Sequence, residues 1–453
     1  SKWLRPGRLV PMVIVFLAVI ALIALRATAN SGAKGEVAAI RARGLPVNEK
    51  ELNAWYKPVP AAENAALLFA AAAAEYVEPP ASMNPSLRAR MAELTPGEPL
   101  PDELKEAVAL LVEENEVTLQ KIDAAAKLKA SRYPIDLSQG FATLLPHLAN
   151  LKKLAQLSSW AAVQRSGEEK PGEAVRILAN GFALAASLEE EPLVISELVR
   201  IACLSILLNG LEQVVSAHPL KEPQLNQLKG ALRRAELHGR RALQRAFAGE
   251  RSVGVSAFSM SYQELDQLGA GAPAGKPMAV DVVDALWFGV RRASGMHAQD
   301  LAFYLEVMGG WEKALEKDFP EMLAAAEANT AMMDSELARH RMKYTISAMI
   351  LPAMSSAARK EASIVARLRC AQMALAIEKH RLQNGGKLPD AQDVPTLFKE
   401  RIPRDPVDGS PLEYDVHEKK GYAIAAAGSI EGEIARRGNT NKLDALFKFR
   451  VAR

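Results

Sequence analysis

The chain has 453 residues, 49% of them apolar and 24% charged, which excludes a disordered chain and is long enough for more than one core. Its 56 Lys and Arg stand against 53 Asp and Glu, a net charge of +3, and so excludes the broad positive field that a nucleic-acid binder uses. Aromatic residues are only 6% and Ala-rich runs recur, a balance that favours helix packed on helix.

Lys2, Arg5 and Arg8 precede an uninterrupted apolar run from Leu9 to Leu25, which as a helix extends about 25 Å and just crosses a bilayer. Val13, Phe16, Val19, Ile20 and Ile23 are its anchoring side chains. Basic residues ahead of the run place the amino terminus in the cytoplasm and the main body outside. Ala27-Thr28-Ala29 fits a small-x-small cleavage site, so a signal peptide cut after Ala29 is the rival reading. The length of the run, and Arg26 between it and that site, favour a retained anchor over residues 1–30.

Residues 31–100 read as a stalk and linker helices. Asn48 with Glu51 forms a capping-box pattern opening a short helix toward Trp55, which Pro58 and Pro60 stop. An Ala-rich helix and a Pro-rich connection follow. Residues 101–349 read as a helical domain. Asp102 opens an element with apolar residues at three and four, and later breaks at Gly167 to Gly172, Pro192 and His218 to Pro223 are spaced like loops between antiparallel helices. The hairpin on either side of Gly167 loosely resembles a tetratricopeptide unit, with small Ala162, Ala174 and Gly181 at the close-packing positions. No clean period of about 34 residues runs through the region, so an irregular bundle or solenoid is expected. "GAGAPAGK", ending at Lys276, fails as a phosphate loop: Gly269 is one residue too far from Gly275, and Pro277 stands where a hydroxyl is needed. It reads as a surface loop.

Nothing in the sequence spells a reaction. Of the seven histidines, at 147, 218, 238, 297, 340, 380 and 417, no two have helical ligand spacing. The expectation is therefore no metal, no cofactor and no catalysis, with an enzyme site assembled in space around His147 or His297 beside carboxylates kept as an alternative. Cys203 and Cys370 read as buried thiols, a bridge between them staying open. Arg234, Arg241 and Arg245, flanked by Arg233 and Arg240, gather on one helix face. That face is either solvated and paired with Glu236 and Glu250 or an interaction face for phosphates or an acidic partner.

The last part, residues 350–453, changes character. A long helix ends in "HRLQNGGKLP", and Asn384, Gly385, Pro389, Pro403, Asp405, Pro406, Gly409, Pro411, Tyr414 and Tyr422 resemble the carboxy-terminal part of bacterial type II secretion pseudopilins. Gly385-Gly386 ends the helix, Asp408-Gly409 suits a tight turn, and "PLEYDV" and "GYAIAAA" form two strands that lie on the helix. The resemblance implies a small α+β module, but the processing site that precedes a pilin-type helix is missing before Ile350. Some pseudopilins bind calcium after the last strand; here Asp408, Glu431 and Glu433 are the candidate ligands, short of the usual six to eight oxygens. "GLPVNEKELNAWY", "ENAA" and "RYPIDLSQGFATLLPHLANL" resemble uncharacterised membrane-anchored bacterial proteins, which implies a single-pass protein of the inner membrane with a periplasmic body.

The expected fold is mainly α, with an N-terminal transmembrane helix, an irregular helical bundle or solenoid and a small C-terminal α+β module. The expected function is a membrane-anchored extracytoplasmic scaffold or accessory subunit in a larger complex with other envelope proteins. A component of a secretion or pilus-like assembly and an envelope enzyme are the alternatives.

Overall fold

The computed structural model describes residues 32–79, 87, 89–91, 93–269, 282–398, 402–417, 421–426 and 447–452. Val13, Phe16, Val19, Ile20 and Ile23 of the expected anchor, the Gly-rich loop up to Lys276, and Glu431 and Glu433 lie outside them.

The Asn48 cap forms as its residue type dictates, with Glu51 reaching past it to the preceding residue. Asn48 accepts from the Glu51 N–H at 2.9 Å, Glu51 reaches back to the Val47 N–H at 3.1 Å, and α1 runs from Glu49 to Trp55. Asn64 caps α2 (Ala65–Ala74) by accepting from the Ala66 N–H, and pins the backbone of Arg132 through both ends of its amide. The element opening at Asp102 is two helices, α3 (Asp102–Glu114) and α4 (Glu116–Ala125). Asn115 between them hydrogen-bonds the N–H and C=O of Val77 at 2.9 and 3.0 Å, competing with helical continuation.

The expected breaks separate α5 (His147–Gly167), α6 (Pro171–Ala186), α7 (Val194–Ala217) and α8 (Glu222–Ala257). Gly181 is needed where a Cβ would overlap the Leu207 side chain, and Ala162 and Ala174 are fully buried. Helices α9 (Tyr262–Gly269), α10 (Val282–Ser294), α11 (Met296–Leu315), α12 (Glu321–His340), α13 (Thr345–Ile350) and α14 (Ala357–Gln383) follow. The chain closes with β1 (Glu413–His417), β2 (Gly421–Ala426) and β3 (Phe447–Val451), antiparallel in that order, Tyr414 opposite Ile424 and Ile424 opposite Phe449. β2 and β3 pack on α14. The molecule is thus mainly helical with one small sheet, as its composition and turn chemistry predict; β3 is a strand the sequence pattern did not single out.

Two apolar cores result. One joins α2 to α7 with the sheet, and is rich in Leu and Ala: Leu151, Leu178, Leu204, Leu208, Leu228, Ile377 and Ile424 belong to it. The other is built on aromatic and Met side chains, among them Phe247, Phe303, Met308, Trp311, Met322 and Met333. The cores interleave along the chain. α8 gives Leu228 and Leu232 to the first and Leu243 and Phe247 to the second, while α14 gives Ala358 and Ala362 to the second and Ile364 and Leu368 to the first. Residue 350 falls inside the second core, between its members Ile346 and Leu351.

By length and composition α7 is long and apolar enough to cross a membrane, but 56% of its most apolar window is buried inside the protein. It packs against α5, α6, α8 and α14, the position of a core helix.

Candidate functional site

A cleft of about 680 Å³ opens between α8, α14 and the segment that leads into the sheet. α8 supplies Leu225, Lys229, Arg233 and Leu237, four residues apart, with Glu236 three beyond Arg233, which puts these side chains on one face. α14 supplies Arg369, Gln372, Leu375, Lys379 and Gln383 by spacings of three and four, and Leu397, Phe398, Pro403 and Arg404 form the third wall. That wall is held in place by the turn chemistry read from the sequence. Asp405 is buried and accepts from the Val407 N–H at 2.8 Å, Gly409 has φ +76°, and the Arg369 guanidinium donates to the Arg404 carbonyl at 2.7 Å. Tyr422 ties the sheet to α14 through hydrogen bonds to the Ala374 carbonyl (3.1 Å) and Glu378 (3.0 Å).

Charges in the cleft are partly paired. Glu236 accepts from Arg369 at 2.8 Å and from Gln372 at 2.7 Å, and Lys379 pairs with Glu222 at 2.6 Å. Five lining residues are cationic, Lys229, Arg233, Arg369, Lys379 and Arg404, against the single carboxylate of Glu236. Leu225 and Leu375 close the floor and are buried, Leu397 and Phe398 are half-buried, and Leu237 at the edge is 64% exposed. The arrangement offers a basic, half-apolar surface with no metal-ligand geometry. Among the described residues no group of three or more His, Cys, Asp or Glu is placed to hold a metal ion.

The chain matches no protein-family model, no curated protein and no solved structure. Its function must therefore be argued from its own side chains.

The Arg stripe does not form a single free face. Arg234 and Arg241 are exposed, but Arg245 lies 4.2 Å over the Trp55 ring and pairs with Glu190 at 3.2 Å, and Arg240 reaches Asp318 at 2.5 Å. The two carboxylates expected to pair with the stripe do other work. Glu236 serves the cleft, and Glu250 is half-buried with its carboxyl accepting from the Val194 N–H at 3.1 Å, desolvation pushing its pKa up to about 7. Arg233, read as a flank of the stripe, lines the cleft instead.

His147 does stand beside a carboxylate. Its Nε2 lies 3.0 Å from both oxygens of Glu191, the ring stacks on Tyr133 at 4.1 Å, and Ser196 donates to Glu191 at 2.5 Å. The order is wrong for nucleophilic catalysis: the serine proton faces the carboxylate, with the histidine on the far side of it. Glu191 is also 0% exposed and His147 9%. His297 is held by a hydrogen bond between its Nε2 and the Phe258 carbonyl at 2.8 Å and edges against Phe288; burial, with Arg292 and Arg291 nearby, lowers its pKa and keeps it neutral. The nearby Asp300 pairs with Arg291 and accepts from the N–H groups of Ile346 and Ser347, fixing the start of α13.

Asp408 is exposed and accepts from the Ser410 N–H at 2.8 Å, the geometry of a turn. Cys203 and Cys370 are both buried and neither is in a disulfide, which closes the bridge reading.

Sequence reasoning missed the cleft. Its signal was present as two helical rows of alternating Leu and Lys or Arg on α8 and α14. Nothing in either row says that they face each other across open space.

Proposed function

We propose that the protein is a membrane-anchored scaffold or accessory subunit that holds partner proteins outside the membrane, with the cleft between α8, α14 and the terminal module as its docking site. The observation that carries this reading is the cleft itself, open, apolar at its floor and basic at its rim, as protein-recognition grooves are. The apolar run from Leu9 to Leu25 supports the anchor. Two cores sharing α8 and α14 support a rigid frame on which a groove keeps its shape. The tetratricopeptide-like hairpin of α5 and α6 and the pilin-like cast of the terminal module belong to this reading.

The test is mild-detergent extraction of native membranes, native-gel separation and mass spectrometry of the co-migrating proteins. The expected result is a defined species well above 49 kDa; migration as a partnerless monomer overturns the reading. A second reading, a component of a secretion or pilus-like assembly, draws on the sheet folded against α14. Loss of secretion or of surface fibres on deletion of the gene would favour it, and an intact phenotype would discard it.

A further inference from the structure

The shape and charge of the cleft narrow the chemistry of the partner, an inference that rests on the scaffold reading. α8 and α14 run antiparallel along it, for Glu222 meets Lys379 near one end and Glu236 meets Arg369 at the other. Between Leu225 and Leu237 a helix advances about 18 Å, so the cleft is a trough. Its cations are spread along that length. Lys229 and Arg233 stand on one wall, Arg369 and Lys379 on the other, and Arg404 on the third. A lone phosphate is held by donors that converge on one point. This row of cations does not converge, and the apolar floor between the walls has nothing to offer a small anion.

We propose that the trough receives one acidic amphipathic helix of a partner protein, about three turns long, its apolar side against the exposed Leu237 and the half-buried Leu397 and Phe398 and its carboxylates along the basic rims. A helix lying in a groove presents apolar side chains at three- and four-residue spacing, which matches a trough walled by two antiparallel helix faces. The apolar contacts and the rim charges both contribute to binding, and the charges also select the partner and speed its arrival. Lys229 forms no ion pair among the described residues and is the cation most open to a partner carboxylate.

The experiment uses the full chain in its native membrane, with a photoreactive benzoylphenylalanine in place of Leu237 at the trough and, separately, in place of Leu286, 71% exposed on α10. After irradiation the cross-linked peptide is sequenced. The expected product from position 237 is one partner peptide with Asp or Glu between apolar residues at helical spacing, its yield falling about tenfold with Lys229→Glu combined with Arg233→Glu, while the product from position 286 is unchanged. A neutral or basic peptide, a lipid adduct without peptide, or a yield indifferent to charge reversal overturns the proposal. A native complex that persists while position 237 yields nothing rejects this occupant and leaves the scaffold reading standing; absence of any complex rejects the scaffold reading itself.

Discussion

α8 and α14 meet twice, once in a closed seam between the two cores and once in the open trough, and the two meetings use the same residue types to opposite ends. In the seam Gly239 brings the helices so close that a Cβ there would overlap Glu361 and crowd Arg200. Arg200 donates to Glu197 at 2.7 Å and to Glu361 at 3.2 Å, all three side chains 1% exposed. Burial pushes the Glu361 pKa up to about 8 against the pull of Arg200. Burial thus biases Glu361 toward its neutral acid form, which lessens the charge that the seam has to keep away from water. In the trough Lys379 and Glu222 remain 38% and 47% exposed, and cations outnumber carboxylates. How closely the helices approach decides whether a charge is fixed inside the structure or left for a partner.

The largest expected effect follows from breaking the seam. Arg200→Met leaves two carboxyl groups buried without their cation and should cost about 3–5 kcal/mol in urea unfolding; an unchanged midpoint would show that the seam contributes nothing. Gly239→Val forces the helices apart and should cost about 1–3 kcal/mol, with the trough widened as a by-product.

The pH dependence sharpens the same contrast. Glu361 titrates near 4.5 when unfolded and near 8 when folded, so its contribution is complete below the lower value and is lost as pH rises through the upper one. Glu361→Gln stays neutral throughout. Relative to the wild type, the variant should gain stability between pH 5 and pH 8.5, read as melting temperatures at both values; parallel curves would refute a protonated Glu361. The smallest effect belongs to the trough, where Lys229→Glu should move the unfolding midpoint by no more than about 0.5 kcal/mol while weakening partner recovery.

Much of the fold was legible because local chemistry sets it. Asn48 and Glu51 fixed the first cap, Gly385 and Gly386, both at positive φ, ended α14 as expected, and the Asp405–Gly409 turn fell where its residues demand it. What the sequence withheld is the choice of partner across space. The i, i+3 spacing of Glu197 and Arg200 is visible in the chain, but Glu361 arrives from another helix. Arg245 sat on a convincing helical stripe, yet Trp55 and Glu190 take it up. Asn115 lies within the one periodic element read from Asp102 onward and breaks it in two, because Val77 offers its amide a pair of hydrogen bonds. Periodicity tells which side of a helix is covered; it does not tell by what, and a trough left between two covered sides has no periodic signature of its own.

The most direct test of the account compares Lys229→Glu combined with Arg233→Glu against the wild type in two readings from one preparation, the unfolding midpoint and the mass of the native complex. The account predicts a midpoint moved by no more than about 1 kcal/mol and a native complex recovered about tenfold less, with the released chain running at 49 kDa. A complex that keeps its full mass in the variant would contradict it.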